Sequence, residues 1–247
     1  MTAARPISRR WLAASLGLFA LDIALHLPIT DFFDYVAKRF GFFTYDAITW
    51  DVFIGLGVLV FVVLWWCPSR RRPFVRRALV GIALAMILAK AFLLVAAIEN
   101  VHYPQYALMM LVLVRAGLRL EPAWLLSVGL GVLDEFYQFK MLPRGTPTYL
   151  DADDIVLNAI GALLGLVVVL AWTERDPESP LIPASTAARI VVLGLVISAI
   201  VAPVVRFPFY NLTPGGRSFH LLTWFEAIVV LGTLWAGVRR LASSPVG

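Results

Sequence analysis

Three short polar segments carry side chains that could do acid–base or ligand-binding chemistry. The first contains Glu99, His102 and Tyr106, which lie at positions i, i+3 and i+7. On a helix these three side chains share one face. Histidine titrates near neutral pH, so His102 is a candidate general acid or base. The same residues also fit a simple helix start in an outer loop, with Pro104 in the first turn.

The second segment holds two adjacent acids within an apolar stretch. Asp134 and Glu135 precede Gln138, and Pro143 is expected to end their helix. Asp134 then lies about 13 Å from that helix end, at a rise of about 1.5 Å per residue. An ionised acid at a bilayer centre costs about 2.5–3.5 kcal/mol, so the pair needs a wet cavity, cationic partners or protons. We interpret the pair as functional, with a polar clamp between helices as the alternative.

The third segment repeats the one-face spacing of the first. Asp151, Asp154 and Asn158 lie at positions i, i+3 and i+7. Asp151 fits a helix N-cap, and the helix dipole favours acids in the first turn. Neither role accounts for Asn158, which lies about 10 Å further along the helix. Gly161 and Gly165 follow at small-xxx-small spacing, which predicts a close contact between helices.

These segments predict one outward-opening pocket that reaches about 10–13 Å below the outer membrane interface. We expect the pocket to be lined by His102, Glu135, Arg144, Asp154 and Asn158. The predicted ligand-binding residues are Glu99, His102, Tyr106, Asp134, Glu135, Gln138, Arg144, Asp151, Asp154 and Asn158. The candidate catalytic residues are His102, Glu135 and Asp134. The candidate oxygen ligands for a divalent cation such as Mg²⁺ are Asp134, Glu135, Asp151 and Asp154.

Other charged residues lie within apolar stretches. Lys90 could offset the acids of the pocket, and it fits a purely structural ion pair equally well. Asp22, His26 and Glu226 are interpreted as structural polar contacts rather than site residues.

The elements that position these side chains must be apolar helices. Hydrophobic residues make up 60% of the 247 residues and charged residues 15%, with a mean hydropathy of +0.83. A soluble domain needs more surface charge, and disordered, collagen-like or disulfide-rich chains have other compositions. We therefore predict an all-α, polytopic helical membrane protein with about eight transmembrane helices of about 20 residues each. The predicted spans are 11–29, 48–67, 78–98, 101–118, 122–142, 152–172, 188–205 and 219–238.

The distribution of Lys and Arg predicts the orientation of these spans. With eight spans, 14 of the 21 basic residues fall on the side that holds both termini, and six fall on the other side. Because basic residues are retained on the cytoplasmic side, both termini are expected to be cytoplasmic. We expect a multi-pass protein of the bacterial cytoplasmic (inner) membrane.

In their order along the chain, the polar motifs resemble the VanZ-like family of membrane proteins. The patterns are E-x-x-H-x-x-x-Y, then D-E-x-x-Q, then an arginine, then D-x-x-D-x-x-x-N-x-x-G-x-x-x-G. The matching residues are Glu99, His102, Tyr106, Asp134, Glu135, Gln138, Arg144, Asp151, Asp154, Asn158, Gly161 and Gly165. The resemblance covers roughly 80–172, and it implies a cell-envelope protein linked by its family name to low-level teicoplanin resistance. It implies no particular reaction.

This resemblance also suggests a division of the chain. We predict an N-terminal two-span segment over 1–77, a VanZ-like four-helix core over 78–172 and a C-terminal two-span segment over 173–247. The first and last segments lie outside the resemblance.

Three classes of function fit these features. The preferred class is noncatalytic binding of a lipid headgroup or a lipid-linked cell-envelope precursor, with an effect on glycopeptide susceptibility. The alternative is a metal-dependent membrane enzyme acting on a lipid-linked phosphate or glycan, and a third class is an ion-coupled transporter that uses the acids as a relay. No nucleic-acid partner is expected, because the basic residues flank apolar stretches as topology signals.

Overall fold

The computed structural model describes residues 7–68, 72–94, 97–141, 151–173 and 222–243, and these residues form helices without any strand. The first three helices are α1 (Arg9–Phe40), α2 (Phe42–Trp65) and α3 (Arg72–Phe92). A short 3₁₀ helix, η1 (Ala97–Val101), leads into α4 (His102–Arg115), α5 (Leu120–Met141), α6 (Ala152–Trp172) and α7 (Trp224–Ser243). The predicted all-α class is confirmed.

The helix boundaries agree with the predicted spans in some places and differ in others. The sixth predicted span, 152–172, matches α6 residue for residue. The first, 11–29, ends too early, because α1 continues through Pro28 until Gly41, whose φ of 87° favours glycine. The predicted span 188–205 lies outside the described residues, as does Arg144.

Three of the described helices, α1, α2 and α6, are long and apolar enough to cross a membrane. Helices α3, α5 and α7 contain 20–22 residues. Helix α4 contains 14 residues, which gives a length of about 21 Å. The hydrocarbon core of a bilayer is about 30 Å thick, so α4 is too short to cross it upright. The described residues therefore support a membrane protein, and the count of eight spans stays a prediction.

Helix α6 lies at the centre of the bundle. It packs against α3, α4, α5 and α7, with its most extensive contact on α4. A Cβ atom at Gly161 would lie 2.7 Å from the carbonyl oxygens of His102 and Tyr103, and one at Gly165 would lie 2.5 Å from the carbonyl oxygen of Ala107. The two glycines thus allow the backbones of α4 and α6 to touch, as their spacing predicts.

Contacts between helix ends define the two ends of the bundle. At one end, the Ser8 amide donates to the Ala116 carbonyl, and Glu121 at the start of α5 lies beside Arg239 near the end of α7. At the other end, the Ala97 amide donates to Asp46. The polar motifs meet at this second end.

A buried carboxylate fixes the start of α7 to the start of α6. The Leu222 amide donates to Asp153 Oδ1 over 2.8 Å. Thr223 and Glu226 then form a reciprocal capping box, in which the Glu226 carboxylate accepts from the Thr223 amide. Glu226 is thus a structural contact, as expected.

Candidate functional site

An imidazole and a carboxylate meet where α4 and α6 begin. His102 is the first residue of α4, and Asp154 lies in the first turn of α6. His102 Nε2 is 3.5 Å from Asp154 Oδ1. The close approach of the two helices at Gly161 sets this distance, because Gly161 contacts the backbone of His102 and Tyr103. His102 Nδ1 is buried and has no hydrogen-bond partner among the described residues.

Two buried acids reach the same region from the last third of α5. Asp134 and Glu135 are 2% and 3% exposed. Gln138 Nε2 donates to Asp134 Oδ2 over 3.2 Å and to Glu135 Oε1 over 3.1 Å. The second Asp134 oxygen, Oδ1, has no partner within the described part of the chain. The C-terminal end of a helix disfavours negative charge, so this arrangement needs further stabilisation from its surroundings.

A fourth carboxylate comes from α1, and the sequence interpretation missed it. Asp22 accepts a hydrogen bond from the Gln105 side chain and interacts electrostatically with His102 and Asp134. The sequence interpretation, a structural polar contact rather than a site residue, did not place Asp22 beside these groups. The sequence feature that could have identified Asp22 as a site residue is its position deep within the apolar helix α1, which resembles the position of the acids in α5.

Two further polar side chains lie buried beside these charges. Asn158 is completely buried, and neither its amide nitrogen nor its carbonyl oxygen has a hydrogen-bond partner in the described ranges. A Cβ atom at Gly131 would lie 2.8 Å from Asn158 Nδ2, so Gly131 makes room for this side chain. The Tyr106 hydroxyl is also buried without a described partner, and it interacts electrostatically with Asp134 and Asp154.

These side chains form what we call the polar cluster. Its members come from α1, α4, α5 and α6, and they are Asp22, His102, Tyr106, Asp134, Glu135, Asp154 and Asn158. The structure thus brings the acids of the second and third motifs close to the histidine of the first, and the outward-opening pocket stays a prediction.

The start of α6 divides its three aspartates between two roles. Asp151 is the N-cap and accepts from the Asp153 amide over 2.9 Å. Burial and then the charge of Asp154 raise the pKa of Asp151 to about 7. Asp153 faces α7 through its contact with Leu222, which leaves Asp154 to face His102.

The remaining predicted site residues lie at the edge of the cluster or away from it. Glu99, in η1, is half-buried and interacts electrostatically with His102 and Tyr103. Lys90 Nζ lies 4.2 Å above the Trp50 ring centre, so it belongs to a different part of the molecule. Arg144 is not among the described residues.

A metal site is not assembled in the described part of the chain. No group of three or more His, Cys, Asp or Glu side chains within the described ranges is arranged to hold a metal ion. The cluster instead combines carboxylate acceptors with one imidazole nitrogen, His102 Nδ1, an amide and a phenol for which the structure describes no partner. Such a set can bind a polar ligand that carries both donors and acceptors.

Comparison with known proteins gives no match. No family model, no curated protein and no solved structure matches this chain. Fold and site therefore define it only by class, as an all-helical protein with apolar helices around a buried acid–histidine cluster.

Proposed function

We propose that this protein is a multi-pass membrane protein of the VanZ-like type that binds the polar headgroup of a lipid or lipid-linked envelope precursor in its polar cluster. The observation that carries the proposal is the set of buried polar atoms without described partners, above all both polar atoms of Asn158. A buried polar atom without a partner costs about 1–3 kcal/mol. A ligand that supplies the missing hydrogen bonds would remove that cost.

The charges of the cluster select the chemistry of the ligand. The cluster holds four carboxylates and one histidine, so a cationic group on the ligand is favoured. A primary ammonium presents three N–H donors to such acceptors, whereas a quaternary ammonium presents none. We therefore propose a zwitterionic headgroup whose primary amine faces the carboxylates.

Binding of this ligand can be tested in nanodiscs that contain equal parts of phosphatidylethanolamine and phosphatidylcholine. We expect the purified protein to retain phosphatidylethanolamine preferentially after transfer to mild detergent, as counted by native mass spectrometry. Asn158→Leu and His102→Gln should each lose this preference. Ser127→Ala is the matched control, because Ser127 is buried in α5 and donates only to the Ala123 carbonyl. Equal retention of both lipids by the wild-type protein would contradict the proposal.

The proposed topology has eight spans with both termini in the cytoplasm. Helices α6 and α7 begin at the same end of the bundle, since Asp153 contacts Leu222. A further span between α6 and α7 predicts that these two helices run in the same direction, which agrees with their shared starting end. Reporter fusions after Arg77 and after Gly247 should both give a cytoplasmic signal, and a periplasmic signal at Gly247 would contradict the span count.

The proposed place in the cell envelope has its own test. In a strain that lacks the protein, expression of the wild-type chain should change teicoplanin susceptibility, and expression of Asn158→Leu should not. Equal susceptibility with and without the wild-type chain would count against the link to glycopeptides.

One observation favours a second candidate, an enzyme acting on a lipid-linked phosphate or glycan. Asp154 lies 3.5 Å from His102 Nε2, and a carboxylate in this position can orient an imidazole for proton transfer. The test is turnover of a lipid-linked phosphate, assayed with and without Mg²⁺. The result would support this candidate if His102→Gln abolished turnover while Asp154→Asn still retained lipid.

A further inference from the structure

A second site lies between α2 and α3, away from the polar cluster. It is an apolar cleft of about 400 Å³ that η1, α4 and α6 close on one side. Its walls include Phe53, Gly57 and Phe61 from α2 and Ile82 and Met86 from α3. These side chains offer no hydrogen-bonding group, and the polar residues of the lining are Trp50, Lys90, Asn100 and Tyr103, so most of the cleft suits a hydrocarbon chain.

One end of this cleft carries a positive charge. Lys90 and Trp50 both line the cleft, and Lys90 Nζ lies 4.2 Å above the Trp50 ring centre. Lys90 is exposed, and no carboxylate in the described ranges forms an ion pair with it. The cleft extends from Trp50 to Phe61, which is about 16 Å along α2. It is therefore an elongated apolar site with one cation at its end.

The surroundings indicate what fills the cleft. Only 11% of the apolar 18-residue stretch of α2 is buried. Ile54, Val58 and Ile87 beside the cleft are exposed. In a membrane this surface faces lipid, whose chains are as apolar as the side chains. Long lysine side chains reach the interface and attract anionic headgroups.

We infer that the cleft between α2 and α3 binds one acyl chain of an anionic phospholipid, whose phosphate pairs with Lys90. This site is separate from the headgroup site in the polar cluster and shares with it only the membrane setting. The two sites select different lipids, since one offers a single cation and the other an excess of carboxylates.

Two glycines of α2 provide a matched test. A Cβ atom at Gly57 or at Gly55 would meet nothing within 4 Å, so both positions accept a larger side chain. Only Gly57 lines the cleft. Gly57→Leu should therefore occupy the cleft, and Gly55→Leu should leave it open.

The experiment uses nanodiscs of equal parts phosphatidylcholine and phosphatidylglycerol, with retained lipid counted by native mass spectrometry after transfer to mild detergent. We expect the wild-type protein and Gly55→Leu to retain phosphatidylglycerol, and Gly57→Leu to lose it. Lys90→Gln should lower the preference for phosphatidylglycerol over phosphatidylcholine about fivefold, the size expected for one lysine at an anionic surface. In the nanodiscs of phosphatidylethanolamine and phosphatidylcholine that test the polar cluster, retention of phosphatidylethanolamine should stay unchanged in all three variants, which separates this site from the polar cluster.

Equal retention of phosphatidylglycerol by Gly57→Leu and Gly55→Leu would overturn the inference. So would a change in oligomeric state confined to Gly57→Leu, because a second protein chain would then fill the cleft. An unchanged lipid preference in Lys90→Gln would show that the cation does not bind the phosphate.

Discussion

Helices α2 and α6 are equally apolar, yet they occupy opposite environments. An apolar stretch of 18 residues in each helix has a mean hydropathy of 2.4 in α2 and 2.5 in α6, but 11% of this stretch is buried in α2 and 83% in α6. Gly55 and Gly57 in α2 face open space, whereas Gly161 and Gly165 in α6 contact the backbone of α4. Hydropathy therefore indicates that a helix avoids water, and the position of small residues against a partner decides whether protein or lipid covers it.

The same contrast applies to the polar residues of the two helices. Asp153 and Asn158 of α6 are buried by neighbouring helices. In α2, Asp46 is buried near the helix start, where it accepts from the Ala97 amide, whereas Asp51 further along the helix is exposed. Polar groups that protein encloses must find partners or a ligand, because water cannot reach them. The enclosed helix is therefore where we place the binding site.

The largest expected effect comes from breaking the contact between α4 and α6. Gly161→Leu places a side chain where three backbone atoms already lie within 3 Å of the added Cβ. We expect a loss of more than about 3 kcal/mol of stability, seen as the absence of monodisperse protein in detergent. Gly55→Leu in α2 is the control and should purify like the wild type. Normal folding of Gly161→Leu would refute the close packing.

A smaller loss is expected when the link between α6 and α7 is removed. Asp153→Ala leaves the Leu222 amide without its acceptor, which costs about 1–3 kcal/mol for a buried group. Asp51→Ala, on the exposed side of α2, should change stability by less than about 0.5 kcal/mol. Thermal unfolding in detergent, followed by circular dichroism, measures both, and equal effects would contradict the difference between the two helices.

Asn158→Leu should raise stability while it abolishes lipid binding. The buried amide makes no described hydrogen bond, so an apolar side chain of similar size removes a desolvation cost of about 1 kcal/mol or more. An increase in the unfolding temperature of the lipid-free protein is the expected result. A strongly destabilised variant would show that Asn158 has a structural partner and would weaken its assignment to the binding site.

The smallest expected effect is a change in pH dependence at the start of α6. The pKa of Asp151 is raised to about 7, so folding favours its protonated form, and this contribution is lost as pH rises from about 4 to about 7. Asn keeps the N-cap without titrating. Asp151→Asn should match the wild type at pH 4 and exceed it slightly at pH 8, because Asp151 is only half-buried and water screens its charge.

If the unfolding temperatures of Asp151→Asn and the wild type differ by the same amount at both pH values, the raised pKa has no part in stability.

Local features of the sequence predicted much of the helical layout and the meeting of the polar motifs. The bounds of α6 follow from an acidic N-cap and an uninterrupted apolar run, and the convergence of His102 and Asp154 follows from their positions at the same end of two helices. Each of these features is a property of one helix or of its direction.

Other features depend on how helices turn about their axes, which one sequence does not specify. Asp22 belongs to the cluster because α1 packs against α4 with that face inward. Lys90 faces Trp50 rather than the acids for the same reason. The extension of α1 past residue 29 was missed because Pro28 and the acids after it are typical of a loop, yet α1 continues to Phe40.

The most direct test of the central claim is an experimental structure of the protein in nanodiscs that contain phosphatidylethanolamine, at a resolution that shows lipid headgroups. We expect headgroup density within hydrogen-bonding distance of Asn158 and His102 Nδ1, with the amine facing Asp134 and Asp154. If protein groups instead satisfy every polar atom of the cluster and no headgroup lies among them, the proposed binding site is contradicted.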